Sequence, residues 1–143
     1  MPLPFTAETF RGAVSNLENC SVSIRDFNSC DNDEAEIIIE FSNGAELRAV
    51  YWRVIVDGQH RLSSFDHLQI YGLPARIDAR QELRRILTAQ SISEARWDRE
   101  TGDLIFDFTG NIKLQVLNFT GYEIWEITFP DGTGEYSNYA KEL

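Results

Sequence analysis

The segment Asp57-Gly58-Gln59-His60-Arg61-Leu62-Ser63-Ser64-Phe65-Asp66-His67 concentrates the residue types of hydrolytic chemistry. It holds both histidines of the chain, two serines and two aspartates. A Ser-His-Asp nucleophile needs its hydroxyl and imidazole in hydrogen-bond contact, with the carboxylate behind the ring. On an extended segment adjacent side chains point to opposite faces, so Asp66 and His67 make no dyad by adjacency. His60, Asp66 and His67 are of suitable type for a metal, but no helix-spaced pair of the H-E-x-x-H kind accompanies them. The favoured reading is a connection whose Asp and Ser side chains cap turns and the next helix. No catalytic residue, metal or cofactor is assigned, and His60, Asp66 and His67 stand as candidate binding residues.

A second group of candidates is acidic. Asp31, Asp33, Glu34 and Glu36 fall within six residues, without the glycine and terminal glutamate of a calcium loop. They read as a solvated loop, or as a face that steers a basic protein toward the chain. Tyr122 and Tyr136 complete the set, because a tyrosine near a loop seeks a polar partner and suits a binding surface. Arg76, Arg80 and Arg84 repeat every four residues, with Arg85 beside them, and read as a solvated helix face with Arg85 near Glu82. Arginine outnumbers lysine 11 to 2, which leans toward ordered pairing with the carboxylates.

The whole chain sets limits on these candidates. Its 143 residues carry 13 Lys+Arg against 23 Asp+Glu, a formal charge of −10. Nucleic acid and anionic membranes demand a basic face, so neither is expected as partner. Leu, Ile, Val and Phe supply 40 positions, enough for one folded domain. The opening residues show no secretory signal, and no apolar run could span a bilayer. Cytoplasm is therefore the expected compartment, with Cys20 and Cys30 as free thiols, the alternative being a disulfide or redox pair that closes the loop between them.

The elements that must position the candidates come in two similar sets. At an offset of 70, Ala13 pairs with Leu83, Leu17 with Leu87, Val22 with Ile92 and Phe27 with Trp97. Ile37-Ile38-Ile39-Glu40-Phe41 pairs with Leu104-Ile105-Phe106-Asp107-Phe108 at 67, and Trp52, Val54 and Val56 pair with Trp125, Ile127 and Phe129 at 73. Asp57-Gly58 matches Asp131-Gly132, and Leu62-Ser63 matches Tyr136-Ser137, at 74. Thr6 suits a cap for a helix bearing Phe10, Ala13, Val14 and Leu17 on one face. Pro74 suits the first turn of a second helix, with Ala75, Ala79, Leu83, Ile86 and Leu87 gathered together. Alternating strands follow each helix, broken at Ser42-Asn43-Gly44 and Pro130-Asp131-Gly132. Trp52, Trp97 and Trp125 fall on strands and are expected inside. The expected fold is α+β: one domain over 1–143, a tandem duplication of units 1–72 and 73–143. Each unit would be a helix followed by a roughly four-stranded antiparallel meander.

Ser64-Phe65-Asp66-His67-Leu68-Gln69 before Gly72-Leu73-Pro74, with Gly121-Tyr122-Glu123-Ile124-Trp125 and Pro130-Asp131-Gly132, resembles an uncharacterised family of small bacterial proteins. The resemblance runs from about Trp52 to Tyr136 and implies no activity or catalytic residues. As a class, such small acidic proteins resemble the immunity proteins that neutralise bacterial toxins. The expectation is a non-enzymatic acidic protein-binding module for a basic partner, with homo-oligomers open. The alternative is a small-ligand-binding protein or hydrolase using the His60–His67 segment.

Overall fold

A computed structural model of the chain describes residues 5–25, 35–119 and 123–137. Helix α1 (Ala7–Ser15) starts where the cap residue predicts. The Thr6 hydroxyl accepts from Thr9 N at 3.1 Å, and the Thr9 hydroxyl accepts from Thr6 N at 2.9 Å. This reciprocal box satisfies two of the backbone donors that a helix start leaves open. Phe10, Val14 and Leu17 are fully buried on one side. Five strands follow: β1 (Val22–Ile24), β2 (Ile37–Phe41), β3 (Glu46–Ala49), β4 (Trp52–Val56) and β5 (Gln59–Ser63). Helix α2 (Ala79–Leu87) precedes β6 (Ile92–Trp97), β7 (Leu104–Phe108), β8 (Ile112–Val116), β9 (Trp125–Thr128) and β10 (Gly134–Tyr136).

The ten strands form two antiparallel sheets, ordered β1-β2-β3-β9-β10 and β5-β4-β8-β7-β6. The fold is thus α+β, as expected, but neither half makes a four-stranded meander of its own. Each half gives three strands to one sheet and two to the other. A nine-residue helix is only about 13 Å long, too short to cover a sheet whose strands lie roughly 4.8 Å apart. The inward faces of the two sheets cover each other instead. Their apolar residues belong to one cluster, and the Phe41 and Phe106 rings meet across it at 5.8 Å. An isolated antiparallel bridge, Ser21 to Ser91, also links the approaches to β1 and β6.

Several residues matched in sequence take like places in the register. Ile39 sits opposite Leu47, and Phe106 opposite Leu114. Leu47 sits opposite Ile127, and Leu114 opposite Val54. Trp52 Nε1 donates to Ala35 O and Trp125 Nε1 to Gly102 O, each at 2.9 Å. One expectation needs correction. Ser64 and Ser137 hold the same position, each hydroxyl accepting the backbone N–H of the strand tryptophan at 3.2 Å. The offset there is 73, so Ser137 answers to Ser64 and not to Ser63. The extra residue of the Pro130-Asp131-Gly132 turn is matched by a register shift where β4 meets β5.

The start of the second helix also differs from expectation. Pro74 and Ala75 are exposed and lie before the helix, whose cap is Asp78, its carboxylate accepting from Gln81 N at 3.0 Å. Ala79, Leu83 and Leu87 form the buried side. Arg76 is therefore off the helix and the arginines make no continuous stripe. Arg84 donates to Ile24 O through Nη2 at 2.8 Å, tying α2 to β1, and Arg85 meets Glu82 at 2.9 Å.

Candidate functional site

The residues of the His60–His67 segment are drawn into separate structural tasks. Ser63 caps the short 3-10 turn Ser64–Asp66, accepting from Phe65 N at 3.2 Å, while Asp66 accepts from Ser63 N at 2.8 Å. The other Asp66 oxygen accepts from the Tyr71 hydroxyl at 3.1 Å, a contact that raises the Tyr71 phenol above its ordinary pKa. His67 is buried, and its Nδ1 accepts from Ala79 N, the first residue of α2, at 3.1 Å. An imidazole bonded this way completes a helix start, as a cap side chain does. Ser64 is held by the Trp52 backbone, and His60 is exposed on β5. None of these contacts joins a serine, a histidine and an aspartate of the segment in the manner of a triad. Among the described residues, no three His, Cys, Asp or Glu side chains gather as metal ligands. Cys20 is a buried free thiol.

Glu36 and Tyr136, distant in sequence, stand at the two ends of one polar row on the outward face of the first sheet. Strand alternation puts Ile37, Ile39, Leu47, Ala49 and Ile127 inside and leaves the residues between them outside. Arg48 lies 3.8 Å from Glu36 and 3.6 Å from Glu126. Arg48 is cross-strand partner to Glu126, and Glu126 to Tyr136, so the row crosses β3, β9 and β10. A neighbouring group sets Arg25 between Glu40, at 3.5 Å, and Glu46. Four carboxylates against two guanidiniums leave these six residues acidic. The Glu126 carboxylate accepts from the Tyr136 hydroxyl and holds the phenol above its ordinary pKa, with the nearby negative charge adding to the effect. Ionising Tyr136 would place two anions side by side. Spectrophotometric titration should therefore show a phenol ionising above the usual tyrosine range, and Glu126→Gln should bring it down. An unchanged titration in that variant would deny the contact.

Asp31, Asp33, Glu34, Tyr122 and Cys30 lie outside the described residues, as does Phe27. Arg25, Glu40, Glu46, Arg48 and Glu126 were not singled out from sequence. Their signal was the polar alternation within β2, β3 and β9, but which strands would be neighbours was hidden. A second surface feature was also missed. Phe65, Ile70, Tyr71, Leu73 and Phe119 are exposed apolar side chains.

No family model, curated protein or solved structure matches this chain. No described helix is long and apolar enough to cross a membrane.

Proposed function

We propose that this protein is a non-enzymatic binding module that receives a basic protein on the outward face of its first sheet. The observation that carries this reading is the row Glu36–Arg48–Glu126–Tyr136, flanked by Glu40, Arg25 and Glu46. Arg48 and Arg25 each lie between two carboxylates, so the like charges of this face are spaced by guanidiniums. The surplus of carboxylate can accept an arginine or lysine, and the chain's −10 charge draws a cationic partner in. The partner class most consistent with such a face is a basic toxin, with this chain in the immunity role and in the cytoplasm. The proposal includes an origin by duplication of a unit of about half the chain. That origin is supported by the matching strand orders, which coincide when β1–β5 are renumbered as β6–β10.

The experiment is capture of the proteins encoded beside this one, and of an oligo-lysine probe, at low and high salt. Binding is expected to fall as salt rises. The double variant Glu46→Gln/Glu126→Gln is expected to slow association about tenfold while leaving the dissociation rate nearly unchanged. Binding indifferent to both salt and the two substitutions would overturn the assignment of this face.

A further inference from the structure

The connections between the sheets carry a surface of opposite character. Tyr51, in the link from β3 to β4, stacks on Phe65 with ring centroids 5.5 Å apart and planes 13° from parallel. Its other neighbour is Phe119, also at 5.5 Å, beyond the end of β8. Phe65, Tyr71 and Phe119 are 62%, 66% and 57% exposed, and Ile70 and Leu73 about half. With about 200 Å² for a whole aromatic side chain, these five present roughly 500 Å² of apolar surface per copy.

This surface is held outward by its own backbone. The Tyr71 hydroxyl is fixed on Asp66, and Leu73 N closes a turn on Ile70 O at 2.8 Å. Leu68 N donates to Ile77 O at 2.7 Å, and Ile77 N to Gln69 O at 2.9 Å, so the loop is pinned to the chain leading into α2. Leu68 and Tyr71 both adopt left-handed φ values, 65° and 47°. Left-handed backbone is costly for side chains of this kind and persists when surrounding contacts impose it. The result is a pre-ordered apolar face that a partner meets without having to organise it.

Charge decides among occupants. The five residues that form this face are uncharged, nearby Asp66 is already bonded to Ser63 N and Tyr71, and an exposed charge beside the loop is the cation Arg76, next to Ile77. A cationic protein finds nothing to pair with here. A second copy of this chain, itself at −10, is repelled by acidic surface and approaches with least repulsion at an uncharged face. A twofold contact sets the same patch of both copies against itself, and there aromatic rings meet aromatic rings, a favourable pairing. Two such faces together would bury about 1,000 Å², the lower bound for a specific interface. We propose that this aromatic face pairs with the same face of a second copy across a twofold axis. This proposal is independent of the acidic face, because it names different residues and has the opposite response to salt.

Sedimentation velocity of the full chain over a concentration series, at low and high salt, tests it. A monomer–dimer equilibrium is expected that high salt strengthens, because screening removes repulsion between like-charged copies. Phe65→Asp should weaken association by about tenfold or more, and Phe119→Asp should act similarly should the first variant lose its native circular dichroism. Tyr136→Phe, on the acidic face, should leave it unchanged. A wild-type protein monomeric at every concentration overturns the proposal, whether or not the face captures another protein. So does a dimer that salt dissolves, or one that ignores both aspartate substitutions.

Discussion

Trp52→Ala is expected to cost about 3–5 kcal/mol of stability, the range for removing a large buried aromatic side chain. Trp52 is fully buried, opposite Val116 and in the cluster shared by both sheets. Its Nε1 supplies the donor for Ala35 O, so truncation empties a large volume and removes that carbonyl's partner. Set against a whole-domain stability of about 5–15 kcal/mol, that loss leaves little margin. Trp52→Phe separates the two contributions. It keeps most of the apolar area, loses the hydrogen bond, and should cost about 1–2 kcal/mol. Trp125→Ala should match Trp52→Ala in size, because Trp125 is buried opposite Ala49 and bonded to Gly102 O. Urea unfolding followed by far-ultraviolet circular dichroism measures all three. A loss below about 1 kcal/mol for Trp52→Ala would place it outside the load of the core.

The tryptophans also mark what a single sequence reveals. Their burial was legible, since Trp52, Val54, Trp125, Ile127 and Phe129 sit at alternating positions that only an inward strand face explains. The same holds for the Thr6 cap and for the turn at Ser42-Asn43-Gly44, where Gly44 adopts φ 97°. Sheet membership was not legible. Alternation says which side of a strand is inward, but not which strand lies beside it. Nothing local announces that the chain leaves one sheet after β3 and enters the other at β4. The helix-start error at Pro74 is of a related kind: proline suits a first turn, yet Asp78 offers a side-chain acceptor to the N–H of Gln81. Glu135 runs against the pattern altogether. It is buried opposite Ile127, at the position Leu62 takes against Val54.

The candidate site divides along the same line. The His60–His67 segment reads as a connection whose Asp and Ser side chains cap turns and the next helix. Ser63 and Asp66 do cap a 3-10 turn, as local spacing allows, but Gln59–Ser63 is strand β5 and α2 takes its cap from Asp78. The imidazole of His67 as acceptor for Ala79 N was not foreseen, since it spans twelve residues and depends on burial. Glu36 and Tyr136 were singled out separately. What joins them is Arg48 and Glu126, and that requires β3 to pair with β9 across nearly 80 residues of chain.

Phe10→Ala tests whether the exchange of strands makes the molecule one cooperative unit. Phe10 extends from α1 to Trp97 in the second sheet at 5.2 Å, and to Trp125 in the first at 6.1 Å with nearly parallel rings. Phe5 and Phe129 lie at 5.4 and 6.4 Å. One side chain thus packs against both sheets, and its removal should cost about 3–5 kcal/mol. The form of the loss is as informative as its size. Losing α1 uncovers β6, which pairs with β7 at the edge of a sheet that also holds β8 and, from the first half, β4 and β5. Neither sheet can persist when one half unfolds, because each would lose two or three of its five strands. The variant should therefore unfold in a single transition at lower urea, with coincident circular dichroism and tryptophan fluorescence and an unchanged slope. Separate transitions for the two probes would mean that each half carries a stable sheet of its own. The strand order β1-β2-β3-β9-β10 leaves no such sheet available.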